Sequence, residues 1–271
     1  MPDHRTVEEE AAIPGPPPAP PGHGVRPDGP PDPDMAELRA VFAHAVGPDR
    51  RDWPVEAAAE PARLATAFAS AGRLCGRAPL AELPGWTCDD AARVLLLHAV
   101  SAAAVREFEP HAGGGRTHPA SGDLPALVRA LYERGDAHER RAILRALPYL
   151  PAGSSHPPGP NARTGPDPQA DVSRLLVEDA LRTNDHRLVA AAMGPCGYRA
   201  LGSEAWRHGV LKCVFLGLPL GPTVTGLGDR ADAELARMLA DFASERAAAG
   251  RAVPADIAPI TSCFTPTPEE Y

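Results

Sequence analysis

The chain has 271 residues, and its 33 prolines and 25 glycines are too many for one compact domain without tails. The prolines cluster before residue 35 and again in 151–168, which leaves roughly 200 residues for a single folded domain. A formal net charge of −8 and the lack of a clustered Lys/Arg run argue against a nucleic-acid-binding protein.

The sequence favours a cytoplasmic protein. Its longest apolar stretch, Val94 to Val105, is about 12 residues long, whereas a bilayer span needs about 20, so no transmembrane segment is expected. The N-terminus carries Glu8, Glu9 and Glu10 and lacks the basic start and apolar core of a secretory signal.

The five cysteines are far apart and form no C-x-x-C pair. We therefore expect reduced thiols and no disulfide framework. The ten histidines form no metal-binding motif, so the sequence predicts neither a metal site nor a cofactor.

The N-terminal half is predicted to be a disordered tail followed by helices. Residues 1–34 are rich in Pro, Gly, Asp and Glu and bury too little apolar surface to fold. Apolar residues then recur at helical spacing in three segments: Met35 to Gly47, Pro61 to Cys75, and a helix that Asp89 or Asp90 caps and that runs to about Phe108. The third is apolar on most sides through its middle, which predicts a central position in the fold.

Two further helices precede a proline-rich linker. Asp123 is expected to cap a short helix that Gly135 ends, and residues 138–151 form the next, which closes on Leu-Pro. This pair of helices looks like one unit of a HEAT-type helical repeat. Residues 151–170 are interpreted as a linker inside the domain.

The C-terminal third is also predicted to be helical. The expected helices are Asp171 to Leu181, His186 to Met193, Ser203 to Leu218 with Ser203 as N-cap, and Asp232 to Ala249. No convincing alternating strand appears. The prediction is an all-α fold with one domain at 35–253, HEAT-like helical-hairpin packing and a tail at 254–271.

Lys212 is conspicuous because the chain has 26 arginines and only this lysine. It shares a helical stripe with Glu204 and His208, among large apolar neighbours. One interpretation is that its ammonium reaches solvent at the edge of a buried helix. The other is that Lys212 is buried and paired, since an unpaired buried charge is too costly.

Other polar residues of this third are candidates for binding an anion. Arg246 continues the apolar stripe of the last helix, where it either bonds a carboxylate or helix carbonyls, or recognises phosphate or carboxylate. Arg182 and Asn184 lie in the connection between two helices, where Asn184 or Asp185 is expected to be an N-cap. Arg230 follows Asp229 in a loop before the last helix.

The C-terminal third closely resembles the EboA family over about 75 residues, roughly Asp179 to Pro254. The resemblance is carried by an RTN segment, a tryptophan-bearing helix running into VLKCVFLGLPL, and the closing helix RADAELARMLADFASERAAAGR. The chain departs from the family pattern at Gly228, which precedes Asp229 and lengthens that loop. The resemblance implies a cytoplasmic protein that assists the trafficking or export of secondary-metabolite precursors. It also implies partners from the Ebo gene cluster, among them a membrane prenyltransferase.

Three hypotheses about function follow. The first is a non-enzymatic protein that binds a small anionic metabolite or docks a pathway partner. The second is an enzyme in which a buried Lys212, with His208 nearby, acts as general base or Schiff-base amine. The third makes Lys212 and Arg246 members of a structural ion-pair network with Glu245, Asp229 or Glu178. The candidate ligand-binding residues are Arg182, Asn184, Trp206, His208, Lys212, Arg230 and Arg246.

Overall fold

The computed structural model describes residues 32–107, 124–151 and 167–264. Within these ranges the chain forms fourteen α-helices and no strand, which confirms the all-α prediction. The predicted disorder of residues 1–31, the capping role of Asp123 and most of the predicted linker lie outside the described residues.

Six helices form the N-terminal half. They are α1 (Met35–Val46), α2 (Trp53–Ala58), α3 (Leu64–Leu74), α4 (Cys88–Glu107), α5 (Leu124–Arg134) and α6 (Ala137–Ala146). Eight more follow: α7 (Pro168–Arg182), α8 (His186–Met193), α9 (Pro195–Ala200), α10 (Ser203–Leu216), α11 (Leu220–Thr223), α12 (Leu227–Arg230), α13 (Ala233–Ala248) and α14 (Ala258–Phe264). HEAT-like pairing of these helices stays a prediction.

Helix α4 is the centre of the N-terminal half, as its apolar middle predicts. It packs against α1, α2, α3 and α6, and the four residues from Val94 to Leu97 are all buried. The predicted N-cap is wrong, however, because the helix begins at Cys88 and places Asp89 and Asp90 inside its first turn. Both aspartates are fully buried there.

The C-terminal helices gather around α8, which packs against α6, α7 and α10. Gly209 of α10 faces Met193 of α8, and a Cβ at this position would collide with the Met193 sulfur, so glycine permits the close approach of the two helices. Asp185 caps α8 by accepting the Arg187 N–H at 2.9 Å, one of the two predicted alternatives. The predicted N-cap of α10 is wrong: Gly202 holds that position, and Ser203 is the first helical residue.

Two predicted boundaries are corrected by contacts that local composition does not reveal. The N-terminal tail ends before residue 34, because Asp34 caps α1 and the buried Pro33 accepts a hydrogen bond from Tyr149 Oη at 2.7 Å. The linker ends earlier than residue 170, because Asp167 caps α7 and Pro168 is the first residue of that helix. A proline is well suited to the first helical position, where its missing N–H costs no bond.

The predicted C-terminal tail is wrong over residues 255–264. Ile257 and Ile260 are buried, and α14 packs against α13. The Asp256 carboxylate also accepts the Leu220 N–H at 2.8 Å, which ties this segment to the start of α11. Residues 255–264 therefore belong to the folded core.

Among the helices of the described residues, none combines the length and the apolar character that a bilayer crossing requires.

Ile260→Ala tests whether the C-terminal segment contributes to the core. Removing this buried side chain should lower the free energy of unfolding by about 2–4 kcal/mol. Val253→Ala is the matched control, because Val253 is exposed and its loss should stay within about 0.5 kcal/mol. Urea unfolding followed by circular dichroism measures both, and equal effects of the two variants would place α14 outside the core.

Candidate functional site

Residues from the two halves of the chain line an open cavity of about 900 Å³, called here the groove. Its lining combines both halves of the fold. From the N-terminal half come Asp32, Pro33, Glu37, Glu82, Leu83, Pro84, Gly85, Trp86, Leu144 and Arg145. From the C-terminal third come Ala190, Ala191, Gly194, Pro195, Cys196, Gly221, Pro222, Thr223, Val224, Thr225, Gly228 and Asp229.

A group of buried charges, called here the charge cluster, supports one wall of the groove. It consists of the buried Asp89, Asp90, Arg93 and Arg141 and the partly buried Arg145. Asp90 is fully buried and accepts hydrogen bonds from Arg141 Nε at 3.1 Å and from Arg145 Nη1 at 3.0 Å. Asp90 thereby joins the first turn of α4 to two successive turns of α6.

Arg93, which Asp89 holds in place within α4, joins α4 to α3. Asp89 accepts a hydrogen bond from Arg93 Nη1 at 2.7 Å, and Arg93 Nε donates to the Phe68 carbonyl at 3.0 Å. Burial raises the pKa of Asp89, but hydrogen bonds from Thr87 and Arg93 outweigh it, so the net shift is downward. The carboxylate is therefore held ionised against its burial.

Arg145 is the member of the charge cluster that lines the groove. Its guanidinium lies 4.6 Å from the ring centroid of Trp86, and both side chains line the groove. Burial lowers the pKa of Arg145, while Asp90 opposes this shift. Among the described residues Arg145 makes one hydrogen bond, through Nη1, so its Nε–H and Nη2–H groups have no hydrogen-bond partner there.

Cys196 lines the groove with an unreactive thiol. Its Sγ lies 3.1 Å from the Ala191 carbonyl oxygen, and burial raises the pKa of its thiol to about 12. A neutral thiol is a poor nucleophile, so Cys196 acts as a small apolar surface.

The seven ligand-binding residues predicted from the sequence do not line the groove. The structure brings together two pairs of them, Lys212 with Asn184 and Arg230 with Trp206, and leaves the others apart.

Lys212 is half-buried, so the prediction of a buried lysine is wrong and the solvent-reaching alternative describes it better. Its Nζ donates to Asn184 Oδ1 at 2.8 Å, an amide rather than a carboxylate. Lys212 is not fully buried because α10 exposes part of its apolar surface on this side, where Phe215 is 74% exposed. His208 is exposed too, and its Nδ1 lies 3.0 Å from the Glu204 carbonyl oxygen. The burial on which the enzyme hypothesis depended is therefore missing.

Arg230 and Trp206 form a structural contact beneath the groove-lining residues Gly228 and Asp229. The Arg230 guanidinium lies 4.9 Å from the centroid of the fully buried Trp206 ring. It also donates to the carbonyls of Tyr198 and Leu201 at 2.9 and 2.8 Å. These bonds fix the end of α12 against α9 and α10, so both side chains serve packing.

Arg246 and Arg182 have other surroundings. Arg246 Nε donates to the Ala252 carbonyl at 2.7 Å, in the segment just beyond its own helix, so its partner is neither the carboxylate nor the helix carbonyl that the structural interpretation named. Arg182 approaches Glu178 at 3.9 Å and lines a second cavity of about 320 Å³ between α5 and α7. The predicted ion-pair network of Lys212 and Arg246 is corrected, because their partners are Asn184 and Ala252.

Sequence reasoning missed the residues that build the groove, chiefly Trp86, Asp90, Arg141 and Arg145. One signal was present: Arg141 and Arg145 are four residues apart on a helix whose neighbouring Ile143 and Leu144 are buried. Two arginines at this spacing share one face and suit a common acidic partner. The described residues include no group of three or more His, Cys, Asp or Glu side chains able to hold a metal ion.

Comparison with known proteins confirms the resemblance found in the sequence. A family model described as "Metabolite traffic protein EboA" matches residues 168–261. This range runs from the first residue of α7 into α14 and includes the C-terminal wall of the groove. Comparisons with curated proteins and with solved structures gave no match.

Lys212→Met tests whether the unique lysine is structural. Because Lys212 makes one hydrogen bond at a half-buried position, its loss should change the free energy of unfolding by no more than about 1 kcal/mol. Thermal and urea unfolding measure the effect. A loss of several kcal/mol would restore the hypothesis of a buried, paired charge.

Asp90→Asn tests the charge cluster. The substitution keeps the shape but removes the anion that two guanidinium groups share, so the free energy of unfolding should fall by about 3–5 kcal/mol. Asp49→Asn removes an exposed carboxylate and is the control. Urea unfolding compares the two, and a loss below about 1 kcal/mol for Asp90→Asn would mean that α4 and α6 do not depend on this contact.

Proposed function

We propose that this chain, an EboA-family protein over residues 168–261, binds a small metabolite in the groove and carries it within a trafficking pathway. The observation that carries the proposal is the composition of the groove: the family region supplies one wall and the N-terminal half supplies the other. A ligand held there would contact both parts of the chain.

The size and lining of the groove support a small-molecule ligand. Small-molecule sites typically have volumes of roughly 300–1,000 Å³, apolar walls and a few polar groups that set orientation. The groove, at about 900 Å³, lies within this range. Leu83, Trp86, Leu144 and Val224 give apolar surface, and Arg145 gives directional donors.

The chemistry of the groove favours binding over turnover. Its cysteine is a neutral thiol, and its arginine is held by Asp90. Lys212, the residue proposed for covalent chemistry, does not line the groove and bonds Asn184 instead. These contacts support a carrier that releases its ligand unchanged.

The cellular setting is part of the same proposal and rests on the family resemblance. A metabolite traffic protein needs a source and a recipient for its cargo. We propose that these are other proteins of the Ebo cluster, including a membrane prenyltransferase, and that the chain works in the cytoplasm in secondary metabolism. An adaptor role, in which the chain positions such partners, is compatible with cargo binding.

Filling the groove tests the proposal. Gly221 lines the groove, and a Cβ added there meets no atom within 4 Å, so Gly221→Trp can be accommodated and would occupy cavity space. Gly202→Trp is the matched control, because Gly202 is equally open but does not line the groove. Neither glycine has the positive φ that would make a side chain strained.

The measurement is the amount of metabolite that co-purifies with each protein from cells that express the companion Ebo proteins, quantified by mass spectrometry. The chain and its Gly202→Trp variant should retain the same compound, and Gly221→Trp should lose it at least about tenfold, equivalent to ~1.4 kcal/mol. Equal retention by both variants, or no compound on the unmodified chain, would refute cargo binding in the groove.

A further inference from the structure

We infer that the groove selects an amphiphilic metabolite with a protonated amine and disfavours an anion. This inference rests on the proposed function and adds the charge class of the ligand. It reverses the small anionic metabolite expected from the arginines of the C-terminal third.

The carboxylates of the groove lead to this inference. Four acidic side chains line it, namely those of Asp32, Glu37, Glu82 and Asp229. Among the described residues, none of the four forms an ion pair. They come from three parts of the fold, namely the start of α1, the loop before α4 and α12, so the acidic character is not confined to one helix end.

The single cation of the lining does not balance these acids. Within the part of the chain that the structure describes, Arg145 is the only Lys or Arg that lines the groove, and Asp90 is 3.0 Å from its Nη1. Its charge is therefore largely matched inside the protein before a ligand arrives. An incoming carboxylate or phosphate would compete with Asp90 for Arg145 and would meet the four unpaired acids.

The pKa of Asp32 shows that the nearby arginines do not compensate for burial of its carboxyl. Surrounding protein atoms raise the pKa of its carboxyl, and the charges of Arg145 and Arg199 oppose this shift without overcoming it. A cationic ligand group beside Asp32 would stabilise the ionised carboxylate. An anionic group there would add repulsion.

The apolar part of the ligand follows from the remaining surface. Leu83, Trp86 and Leu144 on one wall, and Ala191 and Val224 on the other, offer hydrocarbon and aromatic contacts. Burying apolar surface supplies affinity, whereas exposed charges mainly set selectivity. The matching ligand has a compact apolar body and an ammonium group at one edge.

Three probes with the same apolar chain and different head groups test the charge class. They are n-hexylammonium chloride, sodium hexanoate and n-hexyl β-glucoside, titrated into the full chain at neutral pH and low salt by isothermal calorimetry. Hexylammonium should bind most tightly, the glucoside less tightly and hexanoate least. The hexylammonium affinity should fall as salt is raised, because salt screens exposed charges, and the glucoside affinity should not.

A double variant connects the preference to named carboxylates. Glu82→Gln with Asp229→Asn should weaken hexylammonium roughly three- to tenfold, the size expected for two exposed charge contacts, and leave the glucoside unchanged. Asp49→Asn with Glu56→Gln removes two exposed carboxylates that do not line the groove and should leave both affinities unchanged.

The outcomes separate this inference from the proposed function. If hexanoate binds more tightly than hexylammonium and Gly221→Trp abolishes it, the groove is a ligand site and the inferred charge class is wrong. If Gly221→Trp changes the binding of none of the three probes, both the charge class and the groove site fail. Equal weakening by the two double variants would also overturn the inference, because the preference would then reflect only the net charge of the chain.

Discussion

The buried contact of Asp90 with Arg141 and Arg145 is the constraint on which this structure depends most. Burial raises the pKa of the fully buried Asp90 carboxyl, and the guanidinium groups of Arg141 and Arg145 oppose this shift and supply its ionic partners. Such a cluster need not make a protein more stable than an apolar core would, but breaking it leaves buried charge uncompensated. Its directional bonds therefore permit few alternative arrangements of α4 and α6.

This constraint extends to the groove. Helix α6, which Asp90 fixes, packs against α8, and α8 supplies Ala190 and Ala191 to the lining of the groove. The same bond orients Arg145 over Trp86, so two groove-lining side chains are held in place without a ligand. Pre-organised side chains reduce the entropy lost on binding, which suits the cargo-binding role proposed for the groove.

Much of the fold was predictable because it follows from local patterns. The bounds of α8 and the near-complete extents of α1 and α13 follow from apolar periodicity, capping residues and terminating glycines. The short helices α2, α9, α11, α12 and α14 were missed, since four to seven residues give too little periodicity. The packing of α14 depends on long-range contacts that composition does not reveal.

The candidate site was less predictable, because the rarity of a residue type in the sequence does not indicate whether that residue is buried. Lys212 is unique in the chain, yet it bonds an exposed amide. The sequence predicts that Asp90 caps a helix, whereas its partners in the structure, Arg141 and Arg145, lie more than fifty residues away along the chain. Only the tertiary arrangement brings Trp86 and Arg145 to the same cavity as Asp229.

The most direct measurement of the central claim, that the groove is the ligand site, is ¹⁵N NMR of the indole N–H groups during titration with hexylammonium. The chain has three tryptophans, of which Trp86 lines the groove, while Trp53 and the fully buried Trp206 do not. We expect the Trp86 signal to move in a saturable way while the signals of Trp53 and Trp206 stay in place. A saturable shift of Trp53 or Trp206 with Trp86 unchanged would contradict the account.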